Sequence, residues 1–436
     1  MIREFIAAHG GTLKGALHYF FHRITHSDFV RKVSETYLTR IILIPLGLVS
    51  SVIVARALGP PGRGYFAVAM TVATLGIQFG NLGLHASNTY YVAKNRKWLP
   101  VLIGNSLRLS FWLGGIGGGI AWVVFQVWPQ LAPIHGSLLA LSLVWIPFGL
   151  AYMLFQNLLI GVHDVRAYNK IELGGRFLSI GLIFLIVFFQ KVSVLNVFMA
   201  GLAGTLTNFT WSYIALGHHL KERPFFSGLV FQETIYYGFK AYINALFAFL
   251  VLKVDLLMVQ YFLGPEQTGY YSIASNMADM LYLLPSVVGS ILFPKLSARK
   301  DVKEKWELSK KAMWVVALLM VPLALAAALL AKPFIGILYG KNFLPAVQPF
   351  WILCPAMVLY ATNNIVAYFF AAVGFPWFSV YVWIIVSVLN VVLNLFLIPA
   401  YGITGAAFSS LVCYGSVLLL QCGYVFWKGA SLAGRS

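Results

Sequence analysis

The sequence predicts an all-α integral membrane protein. It should have about twelve transmembrane helices in two parallel six-helix halves, with the N and C termini cytoplasmic. Three observations carry that expectation. Apolar residues fill 60% of the 436 positions and charged residues only 10%, against roughly 25% charged in a soluble domain. Mean hydropathy is +0.81, and apolar runs recur at the length of about 20 residues that a spanning helix needs. The octapeptide LGPPGRGY, Leu58 to Tyr65, returns as LGPEQTGY, Leu263 to Tyr270, an offset of 205 residues with five of eight positions identical.

The spans follow in order, with boundaries good to about two to four residues. The first, 38–57, holds Arg40 near its start and Pro45 and Gly47 further along. A proline there removes a backbone hydrogen bond and permits a kink, so Pro45 and Gly47 form a candidate gate. The second, 65–84, leaves the first copy of the octapeptide, whose Pro and Gly suit a tight turn. The third, 107–127, contains GGIGGG, Gly114 to Gly119. No strand precedes it, so it is not a phosphate loop; Gly114/Gly118 and Gly115/Gly119 have the spacing of close helix contacts. The fourth is 137–160. The fifth, 171–189, is the weakest, because Glu172 and Arg176 stand at its start and its clean apolar stretch is only Phe177 to Phe189. The sixth is 194–216. The seventh, 241–262, carries Lys253 and Asp255 and leads into the second copy of the octapeptide. The eighth, 271–293, carries Asn276 and Asp279. The ninth and tenth are 312–331 and 348–372. The eleventh, 378–398, presents Asn390 and Asn394, and the twelfth is 405–427.

Charge orients the chain. Formal net charge is +18, which on a soluble protein would suggest nucleic acid. Here the bases lie between apolar runs, so a nucleic-acid partner is not expected. Cytoplasmic loops carry the Lys/Arg excess. Placing both termini inside puts 24 bases on the cytoplasmic side and five on the other, with Arg40 and Lys253 inside spans. The domains expected are a cytoplasmic tail over 1–35, a first half over 36–220, a connector over 221–240, a second half over 241–428 and a tail over 429–436. Residues 1–37 hold no uninterrupted apolar core, so no cleavable signal peptide is expected; the tail reads as an interfacial amphipathic helix or as a loose extension. Cys354, Cys413 and Cys422 show no ligand spacing and read as small core residues.

Six spans separate the two octapeptides, so the halves point the same way. Parallel repeats of this kind are a transporter architecture, with the substrate path between the halves. No nucleophile elbow, zinc-protease pattern or P-loop occurs. The chain is expected not to be an enzyme, and no metal or cofactor is expected.

Three stretches carry a family resemblance: IVARALGPPGRGYFAVA from Ile53, the segment Lys253 to Ser297 beginning KVDLLMVQYFLGPEQTGYY, and LNVVLNLFLIPAYGITGAAFSSLV from Leu389. Together they resemble the oligosaccharide flippases, the O-antigen transporter type, of the multidrug/oligosaccharidyl-lipid/polysaccharide exporter superfamily. That superfamily also includes multidrug/toxin extruders and peptidoglycan-precursor flippases. The resemblance implies a multidrug-extruder-like fold in the bacterial inner membrane and movement of a polyprenyl-diphosphate-linked oligosaccharide to the outer leaflet. Proton or sodium coupling, and partners among other polysaccharide assembly proteins and membrane lipids, belong to the same expectation. The alternatives are a small-molecule extruder of the same superfamily and a membrane-embedded polysaccharide polymerase or ligase. An extruder would favour an aromatic, acidic cavity. A polymerase would need a large external loop with Arg or His.

Ionisable groups inside spans cost about 2.5–3.5 kcal/mol each on insertion scales and mark cavities or partners. Arg40 and Lys253 are the candidate substrate residues, for a lipid diphosphate. Arg40 has the alternative of snorkelling to the interface, and Lys253 that of a bridge to Asp279. Lys253 and Asp255, two apart, point to different faces. Asp255, Asp279 and Asn276 are candidates for ion coupling, with helix-packing hydrogen bonds as the alternative. Asn390 and Asn394 read as helix-joining residues.

Overall fold

A computed structural model describes residues 28–433 of the chain; the amphipathic reading of the tail falls almost wholly outside them. The described residues form helices joined by short connections: α1 Asp28–Gly80, α2 Leu84–Lys94, α3 Leu99–Arg108, α4 Gly115–Val127, α5 Gly136–Gly161, α6 Val165–Phe188, α7 Val194–Gly217, α8 Gly228–Leu281, α9 Leu283–Ser297, α10 Val302–Leu338, α11 Val347–Ala372, α12 Trp377–Tyr401 and α13 Ile403–Ala433. Nine helical stretches among them are long and apolar enough to cross a membrane. Their outward faces are apolar, with Leu318, Leu329, Phe396 and Leu419 more than 70% exposed. Water would not tolerate so much exposed apolar surface, whereas lipid does. This is a multi-pass membrane protein.

Two of the nine stretches are double. The helix α1 breaks at Gly59 (φ 66°, ψ 178°) and α8 breaks at Gly264 (φ 78°, ψ −177°). Both are the same glycine of the repeated octapeptide. This backbone region is open essentially to glycine alone. The proline that follows each glycine disfavours helix in the residue before it and lacks an N–H to satisfy, so it starts the next limb without loss. The same eight-residue signal therefore makes the same reversal twice.

The two reversals also meet each other. A Cβ added to Gly64 would stand 1.8 Å from Pro265 O, and one added to Gly269 would stand 2.0 Å from Pro60 O. The contact is reciprocal at the offset of 205. It identifies a pseudo-two-fold axis between the halves at one end of the molecule, called here the turn end.

Three further features position the site. A π-helical segment, Leu109–Gly114, joins α3 to α4. Beyond it Gly114 and Gly118 pack on α5, where added Cβ atoms would lie 3.2 Å from Pro147 Cα and 3.4 Å from Leu143 O; Gly115 and Gly119 face open space. One of the two expected glycine pairs thus makes a helix contact. Within α1, Gly59 is the one residue with non-helical backbone angles, so the helix runs through Pro45 and Gly47 without a break. Finally, α8 starts at Gly228, inside the stretch read as a connector. Its first turns are helical because Phe231 and Ile235 pack against Leu84, Leu109, Leu150 and Leu154 of the first half.

Candidate functional site

Where the limbs of α1 and α8 face one another they enclose a cavity of about 410 Å³. Gly47, Ser50, Ser51 and Val54 line it from the first limb of α1, and Arg63, Phe66, Met70, Thr71 and Thr74 from the second. Leu252, Lys253 and Leu256 come from the first limb of α8, and Ser272, Ser275, Asn276 and Met280 from the second. Arg176 reaches in from α6. Three cations therefore share one space in a chain with few charges. A larger cavity of about 670 Å³ lies on the other face of the same limbs, against Leu75, Phe79, Leu257 and Tyr261, and no charged side chain lines it.

Lys253 Nζ donates to Asp279 Oδ2 at 3.0 Å. The two side chains are 27% and 40% exposed. Because both side chains are partly exposed, the pair is worth about 0–1 kcal/mol. The sequence set a bridge to Asp279 against a substrate contact at Lys253; the bridge is formed, and the bridged lysine also lines the cavity. Asn276 lines the cavity beside it.

Arg40 is placed elsewhere. Its side chain is 55% exposed and sits 3.5 Å from Glu172, and it donates to Tyr168 Oη at 2.8 Å. It is not among the lining residues of the cavity, so the structure does not bring Arg40 and Lys253 together. The nearby carboxylate of α6 drew the guanidinium toward that helix. Gly47 does reach the cavity. Its missing side chain leaves room for Arg176, whose Nη2 would lie 3.8 Å from a Cβ there.

Arg63 and Arg176 are the residues that reasoning from the sequence missed. In the sequence Arg63 falls in the octapeptide turn and Arg176 at the start of the fifth span, where bases are expected. Arg63 is only 5% exposed, and its Nε finds no hydrogen-bond partner. The Phe66 ring lies 5.6 Å from its guanidinium carbon.

On the opposite face of α8 from Lys253, Asp255 is 2% exposed. Its carboxylate accepts from Tyr271 Oη at 3.1 Å, Asn394 Nδ2 at 2.9 Å and Ser410 Oγ at 2.5 Å. Asn390 joins α12 to α13 through Ser409 and accepts from Asn394. The asparagines are helix-joining, as their spacing suggested, but they also surround a buried carboxylate. Asn394 Oδ1 is buried without a hydrogen-bond partner, which leaves a free acceptor oxygen beside Asp255.

Hydrogen bonds and close backbone contacts join the halves at both ends of these limbs. At the turn end Arg56 donates to the last carbonyls of α10, Leu338 O at 2.7 Å and Ile337 O at 2.5 Å, and Ser51 Oγ lies 3.4 Å from Tyr339 Oη. At the other end Tyr242 Oη donates to Phe79 O at 2.8 Å. There an added Cβ on Gly83 would meet Gly238 at 2.7 Å.

Residues 53–348 match the family model described as polysaccharide biosynthesis protein. The chain belongs to that family. Among curated relatives of this family member, a probable low-salt glycan biosynthesis flippase of Haloferax volcanii is 22% identical over 51% of this chain and 48% of its own. A putative O-antigen transporter of Shigella flexneri is 23% identical over 52% and 56%. The chain spans about half the length of these relatives. Of solved structures, a lipid II flippase in an inward closed conformation superposes with a TM-score of 0.72 at 16% identity, covering 91% of this chain and 87% of that one. An inward-facing multidrug resistance transporter gives 0.71 at 15%, over 90% and 95%. At these identities the likeness shows a shared fold, that of the exporter superfamily to which the multidrug transporter belongs.

Proposed function

We propose that this protein flips a polyprenyl-diphosphate-linked oligosaccharide from the inner to the outer leaflet of a bacterial inner membrane, for surface polysaccharide assembly. One observation carries the reading: Lys253, Arg63 and Arg176 line a single cavity between two halves of an otherwise apolar chain. An anion crossing a low-dielectric barrier needs compensating charge along its path. A diphosphate is the group on such a lipid that three cations suit. Relatives named flippase and O-antigen transporter support the substrate class. Splitting α1 and α8 at their glycine breaks and adding α7 gives the twelve-span reading. With both termini cytoplasmic, the turn end is the outer one.

In this reading Lys253 exchanges Asp279 for the diphosphate. Arg40, at the mouth, meets the lipid first. Asp255, with the free oxygen of Asn394, is the coupling site for a proton or a sodium ion. A carboxylate and a neutral carbonyl oxygen are hard donors suited to such cations.

Export of lipid-linked oligosaccharide in a complementation strain tests this at matched membrane levels. Lys253→Ala should lower export at least about tenfold, a barrier increase of about 1.4 kcal/mol, and Lys253→Arg should keep part of it, since a cationic donor remains. Full activity in the Lys253→Ala/Asp279→Ala double mutant would leave only an ion pair at this position and sink the substrate role.

A further inference from the structure

We propose that Arg63 forms a second anion station, separate from Lys253 and directly beneath the turn end, which receives the diphosphate before the outer seal opens. The inference rests on the flippase reading above and deepens it.

The first observation is an unmet charge. Arg63 is 95% buried, by its 5% exposure, lines the cavity and has no ion pair among the described residues. Its Nε has no partner, and the Phe66 ring offers only a face. Buried charges are ordinarily paired, because an unpaired one is strongly destabilising. Lys253 differs in having Asp279 at 3.0 Å. Arg56, on the far side of the same turn, is also satisfied, by two carbonyls. Arg63 is thus a buried guanidinium aimed into the transport cavity without an anion.

The second observation is depth. The breaks at Gly59 and Gly264 lie at the same level, since the turns touch. Arg63 stands four residues beyond the first break and Lys253 eleven before the second. At a rise of about 1.5 Å per residue the two backbone positions differ in level by about 10 Å along the helices. An anion leaving Lys253 toward the outer leaflet therefore next passes the level of Arg63, which lines the same cavity. Arg63 is in place. Ser51, also in the lining and 3.4 Å from Tyr339 Oη, supplies a hydroxyl donor nearby. Guanidinium takes phosphate oxygens in a bidentate fork, which suits capture after transfer from a lysine.

Arg63→Gln, Arg63→Met and Arg63→Lys, with Lys253→Ala as reference, test the assignment in the full chain. Two readouts are needed beside export: binding of inorganic pyrophosphate to protein in nanodiscs, and the melting temperature without ligand. Arg63→Gln should lower export at least about tenfold, while pyrophosphate affinity stays within about threefold of wild type because Lys253 still loads. Arg63→Lys should recover part of the export. Arg63→Met should melt at or above the wild-type temperature, because an unpaired buried charge has been removed. Export by Arg63→Gln within about twofold of wild type would overturn the second station. So would a lowered melting temperature in both neutral variants, which would make Arg63 a packing residue held by Phe66. Equal loss of pyrophosphate binding in Arg63→Gln and Lys253→Ala would show one site rather than two. Wild-type protein that neither binds pyrophosphate nor exports the lipid would overturn the flippase reading itself, and the station with it.

Discussion

At the scale of single residues, two carboxylates in neighbouring limbs of α8 have very different surroundings. Asp279 is 40% exposed and paired with Lys253, so its loss should cost about 0–1 kcal/mol of stability. Asp255 is sealed among Tyr271, Asn394 and Ser410. Asp255→Asn keeps the shape and removes the charge. It should make transport in proteoliposomes insensitive to imposed proton and sodium gradients alike; gradient dependence equal to wild type would remove Asp255 from coupling. These two residues, Lys253 and the Asn390/Asn394 face were legible in the sequence because a charge or amide inside an apolar run stands out. Arg63 and Arg176 were not. Both fall near the expected ends of spans in the sequence, and what brings them to the cavity is the packing of other helices, which no local pattern reveals. Arg40 was legible as a charge but not as a partner of Glu172, which lies 132 positions away.

At the scale of elements, the octapeptide gave away the turn and its repetition, since Gly-Pro chemistry is local. That one turn would rest on the other was hidden, because similar sequences dictate similar shapes and not mutual contact. The two kinds of glycine in the turn now separate. Gly59 and Gly264 have free space around a would-be Cβ, but their positive φ with ψ near 180° means alanine there should cost about 1–3 kcal/mol. Gly64 and Gly269 face backbone oxygen at 1.8 and 2.0 Å, so alanine must push the halves apart. Overpacking of that kind costs about 1–3 kcal/mol and can exceed it where only backbone can move. Thermal melts in nanodiscs should rank Gly64→Ala and Gly269→Ala below Gly59→Ala and Gly264→Ala; the reverse order would deny the turn contact.

At the scale of the whole molecule, the 24 bases against five predict that a reporter fused after Trp427 reads as cytoplasmic; an external reading would invert both the charge tally and the assignment of the turn end. The seal at the turn end rests on few bonds. Arg56→Ala removes two of them, and a cysteine placed at Ser51 in that background should become more reactive to an impermeant thiol reagent added from outside. Unchanged reactivity would mean the glycine contact holds the end shut alone. That contact has a wider consequence. Pro60 meets Gly269 while Pro265 meets Gly64, so residue i touches j and j touches i. This is the isologous pattern of a two-fold homodimer, here carried inside one polypeptide. An interface of that form favours partners of matching shape, so a lengthened or re-angled loop in one copy would be selected together with its counterpart 205 positions away.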